Sequence, residues 1–460
     1  MMLPVLGDTR PADVGSESIT PRQMTLWAAG GSLVAALASL LTAFLLVSRS
    51  TTVVYGDFAV LVASALLIST VVRLGSDRMI VGEIRRAGAT LGNAEEATSG
   101  QDLLASGLLL GLLSAVALIL LPVDRLVQLA LSEPLSRIEV ALFALLVAGE
   151  VSRLVFAESL RARYRPAHAA IVGGGGRAVT LLTLAVGLTL LRGTPERTGL
   201  IAIAAIASAA SSVWGATTAG QHFKWWRGRP LHSLRKHAKG HVAMTSATVS
   251  ASIIGVADIW LVGAVVDAEA AARYSLAVSG VGLLGILLSA SHLSLQPFLA
   301  DFIGRGQPEP LERISTTYAR AGLALGTIGY VGLVVAGEPF LVSIGGEAYV
   351  GIRWLIAALG VGILTGLAIG PAGACLIAGG RYVALGRVAL VSATLGFLAE
   401  AAAGITFRHE LAIAVFSGLA VAGLHSLALI SLKRATGIRT DAFAPVAWIP
   451  LKSLLQRKEQ

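Results

Sequence analysis

The chain has 460 residues, 55% of them hydrophobic and only 14% charged, with 52 glycines and a mean hydropathy of +0.76. Soluble domains carry about 25% charged residues, so these figures exclude a soluble enzyme and leave a polytopic membrane protein. The net charge of +9 is explained by loop placement rather than by a nucleic-acid partner, and a single cysteine, Cys375, excludes intrachain disulfides and argues against a cysteine metal site.

In chain order, the tail 1–23 holds Asp8, Asp13 and Glu17 with Pro11 and Pro21, and lacks the basic segment and A-x-A site of a cleaved signal. The first span is therefore expected to remain as an anchor. Roughly 20 apolar residues cross the hydrocarbon at 1.5 Å rise per residue. Uncharged runs of that length lie between Arg22 and Arg49, Asp102 and Asp124, Arg197 and Lys224, Arg273 and Asp301, Arg353 and Arg381, and Glu410 and Lys433. Six further apolar segments are shorter or carry an internal charge, at about 57–75, 138–159, 167–191, 242–266, 320–343 and 388–407. The expected fold is an all-α integral membrane protein of about twelve transmembrane helices.

With the N-terminus inside, 26 of the 36 Lys and Arg fall in inner segments, 8 in outer loops and 2, Arg153 and Arg177, within spans. Basic residues near span ends are retained in the cytoplasm, so both termini are expected there, in a multi-pass protein of the inner (plasma) membrane. No outer loop exceeds about 16 residues, which leaves no room for an extracytoplasmic enzyme domain.

The connection 221–241, QHFKWWRGRPLHSLRKHAKGH, carries six Lys and Arg beside Trp225 and Trp226. It reads either as a solvated loop that fixes topology or as a segment lying on anionic headgroups. It divides a first six-helix lobe, 24–220, from a second, 242–432, which is followed by a basic cytoplasmic tail, 433–460. An internal repeat points the same way. An offset of 219 aligns Tyr55 with Tyr274, Leu74 with Leu293, Ile84 with Ile303 and Arg86 with Arg305, and an offset of 216 aligns Leu160 with Leu376 and Arg165 with Arg381. Both offsets preserve span parity, as expected for two pseudo-symmetric parallel halves that bind at the midplane between them.

Several stretches carry a family resemblance. Residues 49–86, RSTTVVYGDFAVLVASALLISTVVRLGSDRMIVGEIRR, resemble the early signature of polysaccharide (Wzx-type) flippases, with a YG-x-F element before the second span and an L-G-x-D-x-x-I run after it. ARYSLAV (272–278), QPFLADFIGRG (296–306) and GEAYVGIRWLIAALGVGILTGLAIGPAGACLIAGGR (346–381) are similar to the same family's seventh-to-tenth-span region. The resemblance implies the multidrug/oligosaccharidyl-lipid/polysaccharide (MOP) exporter superfamily, with two six-helix lobes and alternating access. It further implies a polyprenyl-pyrophosphate-linked oligosaccharide flipped from the cytoplasmic to the outer leaflet for cell-surface lipopolysaccharide or exopolysaccharide synthesis. The implied partners are this lipid-linked oligosaccharide, membrane lipids, glycosyltransferases and a polysaccharide polymerase, with no nucleic acid and no cofactor.

A pyrophosphate needs cations in a wet cavity, which singles out arginines at membrane depth. In the fourth span Glu150, Arg153, Glu158 and Arg161 fall within roughly a 140° arc, a charged face expected to point inward. Arg177 follows the run Gly173 to Gly176, which permits close helix approach. Arg153 and Arg177 read either as pyrophosphate ligands or as internal ion pairs with Glu150 or Glu158. Arg73 and Arg78 at the mouth of the first lobe, and Arg381 on the glycine turn of the second, are further substrate-binding candidates or topology determinants. Asp258 and Glu400 lie mid-span, where a lone carboxylate is costly to keep charged and so suits proton or sodium coupling, or else serves as a hydrogen-bonded structural acid. No P-loop, H-E-x-x-H or G-x-S-x-G motif occurs, so no enzyme is expected. The rival functions are a cation-coupled drug antiporter of the same superfamily, which would favour acidic cavity residues, and a membrane sugar polymerase or ligase, which would need a large outer loop.

Overall fold

The computed structural model describes residues 21–76, 80, 93–120, 127–162, 165–220, 224, 227–236, 238–304, 308–379 and 381–445. Arg78, Trp225, Trp226, the tail up to residue 20 and residues beyond 445 lie outside them. The described residues are helical and contain no strand. Twelve helices or helical runs are long and apolar enough to cross a membrane. In order they are Gly30–Arg49, Thr52–Val72, Gln101–Leu120, Arg137–Arg161, Ala167–Leu191, Arg197–Gly220, Thr248–Val265, Ala268–Leu288, Pro308–Gly345, Glu347–Ile369, Val383–Phe407 and Glu410–Thr436. They are called spans 1 to 12 below.

Local chemistry sets several boundaries. Thr51 caps span 2 by accepting from the Val54 amide at 3.3 Å, and His409 caps span 12 by accepting from the Leu411 amide at 3.1 Å. Glu338, near the end of span 9, caps the start of span 10 through the Gly351 and Arg353 amides at 3.0 and 3.2 Å. Span 10 does not run on to Arg381 as its uncharged sequence implies. It stops at Ile369 because Gly370 takes φ +72° and Pro371 cannot continue the helix, and a short helix Ala372–Ala378 follows. A Cβ on Gly370 would come within 2.8 Å of the Thr440 carbonyl oxygen, so the break is also a point of close chain approach.

Spans 5 and 7 are each interrupted by one π-helical turn, Ile171–Gly175 and Ile253–Ala257. The first coincides with the glycine run before Arg177. The second delivers Asp258.

Packing repeats between the halves. Span 4 packs on 3 and 6 as span 10 packs on 9 and 12, and span 1 packs on 5 as span 7 packs on 11. The halves meet through spans 1 and 2 of one and spans 7 and 8 of the other. Their apolar cores are not equally shared along the membrane normal. At the end carrying the 1–2, 3–4, 7–8 and 9–10 connections, which is poor in Lys and Arg, one continuous core joins both lobes, from Leu46, Phe58 and Phe143 to Leu261, Tyr274 and Ile356. At the opposite, arginine-rich end the core formed by the described residues falls into two parts. One part, around Leu104, Val155 and Leu160, belongs to the first lobe, and another, around Leu299, Leu376 and Leu432, belongs to the second.

The joined end is a tight seal. A Cβ on Gly56 would lie 1.8 Å from the Ala268 carbonyl oxygen, and one on Gly263 would lie 2.7 Å from that of Ala130. Only glycine allows those backbones to approach so closely. Beyond span 12, the chain turns at Gly437 (φ +75°) and runs back over the arginine-rich end of the second lobe. There Thr440 donates to the Ile369 carbonyl at 2.9 Å, the Ala442 amide donates to Ala368 at 2.7 Å, and Arg320 holds the Ala442 and Ala444 carbonyls. Residues 437–445, expected as the start of a tail, thus form a strap over the break in span 10.

Candidate functional site

Three polar clusters interrupt this apolar interior. The first is built on Glu150, which is fully buried in the middle of span 4. Two guanidinium groups converge on it. Arg153, one turn along, donates to Glu150 Oε2, as the three-residue spacing implies. Arg177 of span 5 places Nε 2.6 Å from Glu150 Oε1, and Ser208 of span 6 donates to the same oxygen at 2.6 Å. The π turn explains why Arg153 reaches across to span 5. Widening the helix frees the Gly173 carbonyl, which accepts from Arg153 Nη1.

Two arginines on one carboxylate leave the cluster one positive charge in excess. Arg177 Nη2 is buried and has no hydrogen-bond partner among the described residues. The geometry therefore contains the internal ion pairs and, in the same arginines, an unspent donor. Glu158 and Arg161, the rest of the charged face of span 4, pair with each other at 2.5 Å near the arginine-rich end.

The second cluster lies in the other lobe. Asp258, 2% exposed, accepts on Oδ2 from Tyr274 of span 8 at 2.7 Å and from Ser417 of span 12 at 2.9 Å, and on Oδ1 from the Ile259 amide at 2.9 Å. Glu400 of span 11 is equally buried and within electrostatic reach of Asp258, and its Oε2 has no partner among the described residues. The two mid-span acids, 142 positions apart in the chain, thus lie within electrostatic range of each other, about 10–12 Å from the sealed end, given seven or eight residues at 1.5 Å each.

The third cluster has no counterpart in the sequence reading. Arg197 opens span 6 and engages all five of its N–H groups. Nε and Nη2 bind Glu139 of span 4 at 3.0 and 3.1 Å, Nη1 binds Asp57 of span 2 at 3.0 Å, and the remaining donors meet the Glu133 and Pro134 carbonyls at 3.0 Å. Ser132 and Thr198 complete the two carboxylates. This network ties three spans of the first lobe together at the sealed end. Counting Arg197 among outer-loop cations concealed it, although a run of Glu139, Arg197 and Asp57 at three span starts was the available signal.

The mouth residues are placed differently from one another. Arg73 is buried and folds back on its own helix, donating to the Ser69 carbonyl at 3.1 Å and to Thr70 at 3.0 Å. Arg381 is exposed and donates to the Ala435 carbonyl at 3.1 Å, linking the turn after span 10 to the end of span 12. The clusters of Arg153 and Asp258 occupy different lobes and share no hydrogen bond.

No protein-family model matches this sequence, and no curated protein matches it either. Solved structures do. Lipid II flippase MurJ in an inward closed conformation superposes with a TM-score of 0.66 at 10% identity, covering 92% of this chain and 88% of that one. An outward-facing multidrug resistance MATE family transporter of the MOP superfamily gives 0.64 at 12% identity over 91% and 96%. A MOP superfamily transporter from Pyrococcus furiosus gives 0.62 at 12% identity over 90% and 94%.

The chain has the two-lobed helical fold of these structures. Within this fold, among the described residues, the lobes share an apolar core at one end and touch at the other through polar contacts, Ser252 donating to Thr70 at 3.2 Å and His241 Nδ1 lying 2.9 Å from the Leu74 carbonyl oxygen. The polar clusters lie inside the individual lobes, where they brace helices against each other.

Proposed function

We propose that this protein is a transporter that flips a polyprenyl-pyrophosphate-linked oligosaccharide from the cytoplasmic to the outer leaflet by alternating access. The observation that carries the reading is the buried Glu150, Arg153, Arg177 and Ser208 cluster, with its surplus positive charge and the unpartnered Arg177 Nη2. A planar guanidinium suits phosphate oxygens, which it binds bidentately without losing charge. In this reading Glu150 holds the arginines while the site is empty and releases one to the pyrophosphate. Arg73, Arg78 and Arg381 serve capture at the arginine-rich mouth, which is the cytoplasmic side, in an inner membrane with both termini inside. Glycosyltransferases supply the substrate and a polymerase consumes it. Asp258 and Glu400 couple the cycle to a cation gradient, with Tyr274 and Ser417 as their hydrogen-bond partners. Likeness to a lipid II flippase supports a lipid-linked substrate.

The test pairs Arg153→Gln with Glu150→Gln and, separately, makes Arg177→Lys, with membrane abundance and lipid-linked sugar export read together. Loss of export at normal abundance is expected. Normal export in both variants would move the pyrophosphate site to Arg73, Arg78 and Arg381.

A cation-coupled drug antiporter is the second reading, favoured by the paired acids Asp258 and Glu400 and by likeness to multidrug MATE transporters. Cation-driven efflux of a lipophilic dye, with no lipid-linked sugar moved in the same proteoliposomes, would select it. The Pyrococcus furiosus protein, described by a binding pocket of reverse polarity, shows that pocket charge differs among proteins of this fold.

A further inference from the structure

We infer that Tyr274 couples the state of the Asp258 carboxylate to the seal between the lobes. It is a positioning residue, acting through its neighbours. The inference rests on the reading of Asp258 as ion-coupling and adds the route by which occupancy reaches the other lobe.

Three consecutive residues of span 8 address three different helices. Arg273 pairs with Glu410 of span 12 at 2.8 Å, Tyr274 donates to Asp258 of span 7 at 2.7 Å, and Ser275 shares the face of Ala268, whose carbonyl oxygen meets Gly56 of span 2, and lies beside Tyr55. Successive helical positions turn by about 100°, so Arg273 and Ser275 face nearly opposite sides with Tyr274 between them. Tyr274, Tyr55 and Ser275 are all buried, so water cannot take over a broken bond. Tyr55 belongs to the first lobe and adjoins Gly56, whose close approach to Ala268 forms the seal.

The groups facing Asp258 are Tyr274 from span 8, Ser417 from span 12 and, at electrostatic range, Glu400 from span 11. Oδ2 accepts from both hydroxyls. A proton or sodium ion arriving there competes with these donors for the same lone pairs. Releasing the Tyr274 hydroxyl frees span 8 to rotate, and Ser275, one residue on, moves with it. Occupancy at Asp258 and the Tyr55–Ser275 contact between lobes are then two ends of one element with two arrangements.

The test uses the full chain with Cys375→Ala and spin labels at Ser48→Cys and Val350→Cys, exposed positions on opposite lobes at the sealed end. Distances are measured in nanodiscs against sodium chloride at fixed pH, with choline as the control cation, and then against pH in choline. Carbodiimide labelling of Asp258 and Glu400, slowed by bound sodium and speeded by protonation because the reagent takes up the carboxyl proton, reports occupancy independently. The parent should change its distance distribution with one of the two cations. Tyr274→Phe should move the labelling midpoint by about three- to tenfold toward tighter binding, because the competing donor is gone, and lose the distance change. Because coupling is reciprocal, Tyr55→Phe, in the other lobe, should shift the labelling midpoint by about threefold or more.

A Tyr274→Phe protein that retains the parent's distance change overturns the inference and leaves the ion reading intact. So does a parent whose labelling responds to a cation without a distance change. If neither cation alters the labelling, or if Asp258→Asn preserves the labelling response and the distance change alike, the ion reading falls and the route falls with it. Should Tyr274→Phe fail to fold, an unchanged midpoint in Tyr55→Phe refutes the inference by itself.

Discussion

Adding one methyl group at Gly56 tests whether the joined end is a seal between moving bodies. The Cβ of Gly56→Ala would lie 1.8 Å from the Ala268 carbonyl oxygen, 2.7 Å from its carbon and 3.3 Å from its Cα. Ordinary heavy-atom contacts sit near 3.5 Å, so spans 2 and 8 must separate locally by roughly 1.5 Å. Neither partner can yield by changing rotamer, because the obstacle is backbone. Overpacking of this kind costs about 1–3 kcal/mol. Here the cost falls on the sealed arrangement and not on one with the lobes apart at that end. The ratio of the two should therefore move toward the unsealed form by about 5- to 150-fold. Ala268, Ala272 and Ser275 share the face of span 8 turned to span 2, and Ala272 is fully buried. In a Cys375→Ala, Ala272→Cys background, a membrane-impermeant maleimide applied from the sealed side should react at least fivefold faster when Gly56→Ala is added. An abundant, folded Gly56→Ala protein with an unchanged reaction rate would refute the reasoning.

Three other outcomes are expected. Arg197→Met strands two buried carboxylates at a cost of about 3–5 kcal/mol, seen as a large drop in melting temperature or membrane abundance, whereas Arg197→Met combined with Asp57→Asn and Glu139→Gln should recover part of the loss. Truncation after Gly437 removes the strap and uncovers the Ile369 and Ala368 carbonyls, so detergent-solubilised protein should melt lower than the same chain truncated after residue 445. Reporter fusions after residues 95, 232 and 445 should behave as cytoplasmic and those after 52, 130 and 347 as external. An external signal at 232 would contradict the two-lobe arrangement.

Apolar length was enough to place all twelve spans, six as charge-free runs and six as segments that are shorter or carry an internal charge, because the bilayer imposes that length on each helix separately. It says nothing about continuity within a run, so the break in span 10 was missed, even though Gly370–Pro371 is itself a stop signal. Contacts one turn apart were legible in the same way. Glu150 and Arg153 had to meet, and their spacing showed it. Partners distant in sequence did not declare themselves. Asp258 stood out as a mid-span acid, but nothing local marks Tyr274, sixteen residues on, or Ser417, 159 residues on, as its donors. Arg197 illustrates the same limit more sharply. At a span start a lone arginine looks solvated, and only the assembly of spans 2, 4 and 6 buries it.

The strap has a consequence for biogenesis. Span 10 ends with carbonyls whose partners, Thr440 and Ala442, leave the ribosome about 70 residues later, after spans 11 and 12. During synthesis those carbonyls must be held by water or by lipid headgroups, and the arginine-rich end of the second lobe cannot reach its final form until the strap arrives. The order of completion is therefore built into the chain. The sealed end can close as the spans assemble, and the opposite end of the second lobe is finished last.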